Sequence, residues 1–155
     1  MSDELAALIL HRAIEDKVVR YAKACDDCDW AEFETIFHPD VEVDFGADLG
    51  VPLLIGRDAI IGKLRSVREA CGATHHLAGN VWVKERSADE VESHFHLRAF
   101  HRGKGALSEG VWDVMGEYRD IWRRVDGEWL VYRRAYLLRT TTGTMEAVVG
   151  EPLPA

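Results

Sequence analysis

The order of apolar and polar residues changes period once along the chain, from helical to alternating. Between residues 4 and 28, Leu10, Ile14, Val18, Tyr21 and Cys25 recur three or four apart, while Arg12, Glu15, Asp16 and Arg20 fall mostly elsewhere on the wheel. That spacing predicts an amphipathic helix. Asp26 lies one turn after Ala22 and two after Val18, on the edge of the apolar stripe. Alone, a carboxylate there reads as a solvated helix end; a partner would turn it toward the core. Asp29, with Glu32 three residues on, forms an Asp version of the capping box ahead of Phe33, Ile36 and Phe37, and His38-Pro39-Asp40 ends that short helix. Val41–Phe45 alternates as a short strand, 46–50 is a turn-rich loop, and Val51–Ile55 is a second apolar run. Helical period returns over Arg57–Cys71, with Ile60, Ile61, Leu64 and Val67 inward and Gly72 as the cap.

From Thr74 the pattern is that of strands: Thr74–Lys84, Glu90–Arg102, Val111–Arg123 and Glu128–Leu138, with Val125-Asp126-Gly127 as the hairpin turn between the last two. In the second, Val91, Ser93, Phe95, Leu97, Ala99 and His101 share a face, and Glu92, His94, His96 and Arg98 take the other. His101 therefore belongs to the apolar row, whereas His94 and His96 face water. In the third, Trp112, Val114, Gly116, Tyr118 and Trp122 form a row that Asp120 interrupts. The inward row of the fourth strand is undecided between the Leu130–Leu138 set and the Trp129–Leu137 set. His76 is undecided too, because a bulge at Ala78-Gly79 would change its register. The tail, Thr140–Ala155, is rich in Thr, Gly and Pro and is expected to be loosely ordered or to lie over a cavity mouth. Helices first and a long meander after them predict an α+β fold, a curved sheet with helices packed on its concave side.

Composition narrows the function classes. A chain of 155 residues with 47% hydrophobic and 30% charged residues fits one globular domain spanning 1–155. The net charge of −8 argues against nucleic acid or an anionic membrane as partner, since either needs a basic surface. The N-terminal stretch has acids before its apolar residues and no run long enough to span a bilayer, so a cytoplasmic protein is expected. Cys25, Cys28 and Cys71 are an odd number without a secretory signal, which predicts reduced thiols rather than disulfides. Cys25-Asp26-Asp27-Cys28 matches C-x-x-C but closes a helix, where a redox motif would open one.

What remains is acid–base chemistry. A single histidine on an apolar face reads first as a hydrogen-bonded core residue. Two of them, His76 and His101, with Asp26 at the edge of an apolar stripe, form a different pattern, because a buried charge is costly unless paired. The metal alternative draws on His94-x-His96 with His75, His76 or His101 and Asp44, but the first two face away from His101. No nucleophile elbow, phosphate loop or dinucleotide fingerprint is present.

These residues resemble a known family. The helix ending in Asp26-Asp27-Cys28-Asp29-Trp30, then His76-Leu77-Ala78-Gly79, Ser87-Ala88-Asp89-Glu90-Val91, His96-Leu97-Arg98 and His101, and the Val125–Trp129 hairpin are similar to the SnoaL-like branch of the NTF2-like proteins, and within it to the scytalone dehydratases. The resemblance covers roughly residues 5–140. It implies a cone-shaped α+β fold enclosing a cavity, dimers or trimers, no cofactor and no metal, and Asp26, His76 and His101 at the catalytic positions. Two tyrosines that hold a water in that family are replaced here by Cys25 and Phe45, and an active-site Ser and Asn correspond to Gly116 and Tyr118. Bile acid dehydratases and hexachlorocyclohexane dehydrochlorinase, related by fold, also pair an Asp with a His. Tyr21 fits the tyrosine spacing of the former, and Arg134 sits at a functional arginine of the latter.

The expectation is a cofactor-free lyase that removes water from a small cyclic ketone or polyketide-like molecule. An isomerase, cyclase, dehydrohalogenase or non-catalytic binding module stands as the alternative. Histidine, titrating near pH 6.5, suits a base at neutral pH, so His76 takes the proton. Asp26 holds His101, which as a cation donates toward the leaving oxygen or the developing enolate. Tyr21 or Tyr118 replaces the missing tyrosines, and Phe45, Trp82, Trp112 and Arg134 line the substrate pocket.

Overall fold

The computed structural model describes residues 2–150. Helix α1 (Asp3–Asp27) opens with the Ser2 hydroxyl accepting from the Leu5 N–H at 3.3 Å, a capping bond that an acidic first turn supports. Ile14, Val18, Tyr21, Ala22 and Cys25 are buried along it. It ends where Cys28 takes a left-handed conformation, φ 58°, so the C-x-x-C segment does close the helix. All three cysteines are free thiols.

The predicted capping box appears as the Glu32 N–H bonded to Asp29 Oδ1 at 3.2 Å, but the turn it starts is a short 3-10 segment, Glu32–Thr35. Strand β1 (Phe37–Asp44) follows at once, so His38-Pro39-Asp40 lies within a strand rather than beyond a helix end. Pro39 is tolerated there because β1 pairs with its neighbours mainly from Glu42 onward. The apolar run 51–55 contributes only the two-residue β2 (Leu54–Ile55) before α2 (Arg57–Ala70), whose cap is Cys71, one residue before the expected glycine.

Strands β3 (Thr74–Ser87), β4 (Glu90–Arg102), β5 (Val111–Val125) and β6 (Glu128–Gly143) form the antiparallel meander. The sheet order is β2-β1-β6-β5-β4-β3, with β1 parallel to β6 and every other pair antiparallel. This mixed, curved, open sheet with helices is the NTF2-like cone that the sequence led us to expect. On β4 the row from Val91 to His101 is buried at every position.

Two shifts in the β5–β6 pairing, where Tyr132 and Arg139 are skipped, explain why neither alternating row of β6 faces inward throughout. Val131 is buried at one end, and Arg134 and Tyr136 toward the other. Two-residue periodicity cannot be read across such a shift. The tail is partly regular: Thr140–Gly143 extends β6, and Met145–Val149 forms α3, capped by the Thr144 hydroxyl. Residues 151–155 of the expected tail lie outside the described residues.

Candidate active site

The end of α1 meets the start of β3. Asp26 accepts three hydrogen bonds there: from the Thr74 hydroxyl at 2.9 Å, the His76 backbone N–H at 2.9 Å and His76 Nδ1 at 2.7 Å. The register makes this possible. His76 pairs with Ala99, and Thr74 with His101, all on the inward row. The bulge comes later than expected, between Gly79 and Trp82 with Asn80 at φ 54°, so it leaves His76 facing in. Burial works against charge on Asp26, but the bonds from His76 and Thr74 outweigh it and hold the pKa down to about 2. The carboxylate is thus an anion that fixes the proton of His76 on Nδ1 and leaves Nε2 as a lone pair on a cavity-lining ring.

His101 departs from expectation. Asp26 bonds His76, not His101. His101 Nδ1–H instead donates to the Trp112 carbonyl at 3.2 Å, and its ring stacks on the Trp112 indole with centroids 4.8 Å apart. Burial, with the neighbouring His76, lowers its pKa to about 4. His101 is neutral at pH 7 and presents Nε2 as an acceptor. The expectation of a cationic donor failed because alternation gave the face of His101 but not its register against the helix end. The two imidazoles stand edge to face, centroids 5.5 Å apart.

They share the wall of a cavity of about 800 Å³, counting its open mouth. Tyr21, Cys25, Phe45, Trp112 and Tyr118 also line it, as do Trp30, Lys63, Arg68, Tyr136 and Met145. The Tyr21 and Tyr118 hydroxyls lie 3.3 Å apart. Burial raises the Tyr118 phenol to about 12 and pushes Tyr21 up as well.

Two expected lining residues are elsewhere. Trp82 is 47% exposed and its ring lies tilted against His94; the bulge turns it to the outer face. Arg134 is buried but closed off. Its Nε and one terminal nitrogen bond both oxygens of Asp120 at 2.8 and 2.7 Å, and the guanidinium lies over the rings of Tyr21 and Tyr118. Its pair partner was visible in sequence only as the Asp120 that broke a row. Outside the cavity, His96 is exposed and bonds Asn80, and His94 bonds Glu92. Among the described residues no three His, Cys, Asp or Glu side chains cluster as metal ligands would, and no helix is long and apolar enough to cross a membrane.

Sequence reasoning missed Thr74, Lys63, Arg68 and Tyr136. Thr74 shares the inward row of His76, and Gly116 within an apolar row was the available signal for Tyr136. The helix wheel that turns Ile60, Ile61, Leu64 and Val67 inward does not show that Lys63, beside Leu64, borders a cavity.

Residues 6–135 match the SnoaL-like domain model. The chain belongs to that family. No curated protein matches the sequence. Among solved structures, this SnoaL-like chain is similar to a candidate scytalone dehydratase from Novosphingobium aromaticivorans DSM 12444, at 26% identity and a TM-score of 0.79, covering 89% of each chain. It also superposes on a candidate aromatic ring hydroxylase of the same species at 22% identity, TM-score 0.78, covering 89% of this chain and 95% of that one. Hexachlorocyclohexane dehydrochlorinase LinA-type3 from Novosphingobium barchaimii LL02 follows at 17% identity, TM-score 0.77, covering 92% and 94%. The last two comparisons speak to fold alone.

Proposed function

We propose that this SnoaL-like protein is a cofactor-independent lyase that eliminates water from a small cyclic ketone or polyketide-like substrate. The observation that carries the reading is the Asp26–His76 pair. An anionic carboxylate bonds Nδ1 at 2.7 Å, and the ring bearing the other nitrogen lines a largely apolar cavity. His76 Nε2 takes the proton α to the substrate carbonyl, and Asp26 stabilises the resulting imidazolium without itself becoming protonated. Neutral His101 accepts a hydrogen bond from the substrate hydroxyl and orients it. As the enolate collapses, the C–O bond breaks and His76 returns its proton to the departing oxygen. One water leaves, a conjugated ketone forms, and His76 is neutral again. The likeness to a candidate scytalone dehydratase at 26% identity supports a dehydration; the base machinery would serve a halide leaving group equally.

A panel of cyclic β-hydroxy ketones and β-chloro ketones, followed by the absorbance of the conjugated product, tests the reading. Turnover of the hydroxy series that His76→Ala abolishes is the expected result. Full activity in the His76→Ala variant would remove the base assignment, and turnover of the chloro series alone would replace dehydration by dehydrohalogenation.

A further inference from the structure

Tyr136 is one of the polar groups on the cavity wall, with Lys63 and Arg68, that neither the Asp26–His76 pair nor the Arg134–Asp120 pair uses. It is 6% exposed, and its Oη has no hydrogen-bond partner among the described residues. Tyr21 and Tyr118, by contrast, satisfy each other. A buried phenol without a partner is disfavoured, and native structures keep such groups rare.

The chain makes specific room for it. In the β5–β6 register Tyr136 stands opposite Tyr118 and Leu138 opposite Gly116, yet the phenol leans over Gly116. A Cβ at Gly116 would lie 2.4 Å from both Cζ and Oη of Tyr136. Gly116 is not among the glycines of positive φ, so its own conformation does not require glycine; the close approach of the phenol, and of the Leu137 carbonyl oxygen 2.5 Å from that Cβ position, does. Gly116 is opposite Leu97, whereas His76 is opposite Ala99 and Ala99 opposite Val114. Two strand spacings and one two-residue step separate the backbone positions, on the order of 10 Å, a span that suits a one- or two-ring molecule. Neutral His101 presents a lone pair to the cavity and cannot donate to a ketone oxygen. Burial raises the Tyr136 pKa, so the phenol keeps its proton.

We propose that Tyr136, seated in the space left by Gly116, donates a hydrogen bond to an oxygen of the small cyclic ligand held in this cavity. This anchors the ligand's carbonyl or hydroxyl end away from the Asp26–His76 pair. The proposal rests on the cavity being a ligand site, as the lyase reading does, but it needs no turnover.

The test compares 1-tetralone with tetralin, the same two-ring shape lacking the oxygen, by quenching of tryptophan fluorescence. Trp30 and Trp112 line the cavity and report occupancy. Tyr136→Phe should weaken 1-tetralone about five- to tenfold, as expected for one lost hydrogen bond, and leave tetralin unchanged. Gly116→Ala, whose Cβ would meet both the phenol and the Leu137 carbonyl, should lose the same preference. If Tyr136→Phe holds 1-tetralone as tightly as the unaltered protein, the ketone sits on Lys63 or Arg68 instead and the proposal fails. Equal weakening of both probes, or no saturable binding of 1-tetralone to the unaltered protein, overturns it too. Failure of the lyase reading would show separately, as absent turnover with this binding contrast intact.

Discussion

Two carboxylate pairs, one with an arginine and one with a histidine, sit on the inner side of this sheet, and they are built for opposite ends. In one, Arg134 meets Asp120 through two hydrogen bonds, with side-chain exposures of 1% and 0%. Burial works against the arginine charge, but the Asp120 carboxylate outweighs it and raises the pKa, so the guanidinium stays protonated. Both carboxylate oxygens are engaged and the guanidinium lies over the rings of Tyr21 and Tyr118, while its remaining nitrogen, Nη1, is buried without a hydrogen-bond partner among the described residues. In the other, Asp26 spends its oxygens on Thr74 and His76, but the His76 ring keeps one nitrogen unpaired beside a cavity. A closed pair contributes position; an open one retains a group that can exchange a proton.

The comparison breaks most sharply in variants that remove one partner from each pair. Asp26→Asn preserves shape but removes the anion that holds the tautomer of His76. In the proposed lyase, kcat should fall about 10³- to 10⁴-fold, by analogy with loss of the orienting carboxylate in a catalytic triad. The melting temperature should move little. Arg134→Met should do the reverse. Leaving Asp120 buried and unpaired costs about 3–5 kcal/mol, seen in a denaturant titration. Arg134→Met that unfolds at the same denaturant concentration as the unaltered protein would mean that the closed pair holds nothing together.

How much of this was legible in sequence follows from which physical signal each residue leaves. The β4 row ending at His101 is a run of strict alternation, and it is buried as read. Alternation is blind to register, however, and does not say which imidazole meets Asp26. The bulge at Asn80 sent Trp82 outward, and the skipped residues Tyr132 and Arg139 scrambled the β6 row. Arg134 was an arginine in an ambiguous row; nothing local reveals that its charge is satisfied by Asp120 on the adjacent strand. Asp26 was the opposite case. It stood at a stripe edge with no visible partner, and only its resemblance to a known helix end suggested one. Gly116 shows a third kind of signal, a missing side chain whose meaning depends on what leans into the space.

His101 sharpens the comparison from the side of pH. Its pKa, lowered to about 4 by burial and by His76, lies below the value of about 6.5 for an exposed histidine. Between those values the unfolded chain binds more protons than the folded one. Stability is therefore fully present above pH 6.5 and is lost as pH falls toward 4, by up to roughly 3 kcal/mol. His101→Gln can still donate to the Trp112 carbonyl but does not titrate. Its stability should be flatter across that window, measured as unfolding midpoints from pH 7 to pH 4. An unchanged slope would show that His101 is already protonated in the fold.

The smallest effect separates holding the carboxylate from tuning it. Thr74→Val keeps the shape of the side chain and deletes the 2.9 Å bond to Asp26 Oδ1. Two bonds from His76 remain, so the carboxylate stays in place while its pKa rises from about 2 toward the ordinary carboxylate range. Asp26 remains ionised at neutral pH throughout that shift. The expected cost is about 1 kcal/mol of stability and a fall of only a few-fold in kcat at pH 7, with the unaltered protein measured alongside. Because the charge survives, any larger loss has to come from geometry. A collapse in kcat as deep as that of Asp26→Asn, with the fold intact, would make Thr74 the residue that aims the carboxylate at His76. The pair would then be a triad whose third member is a hydroxyl.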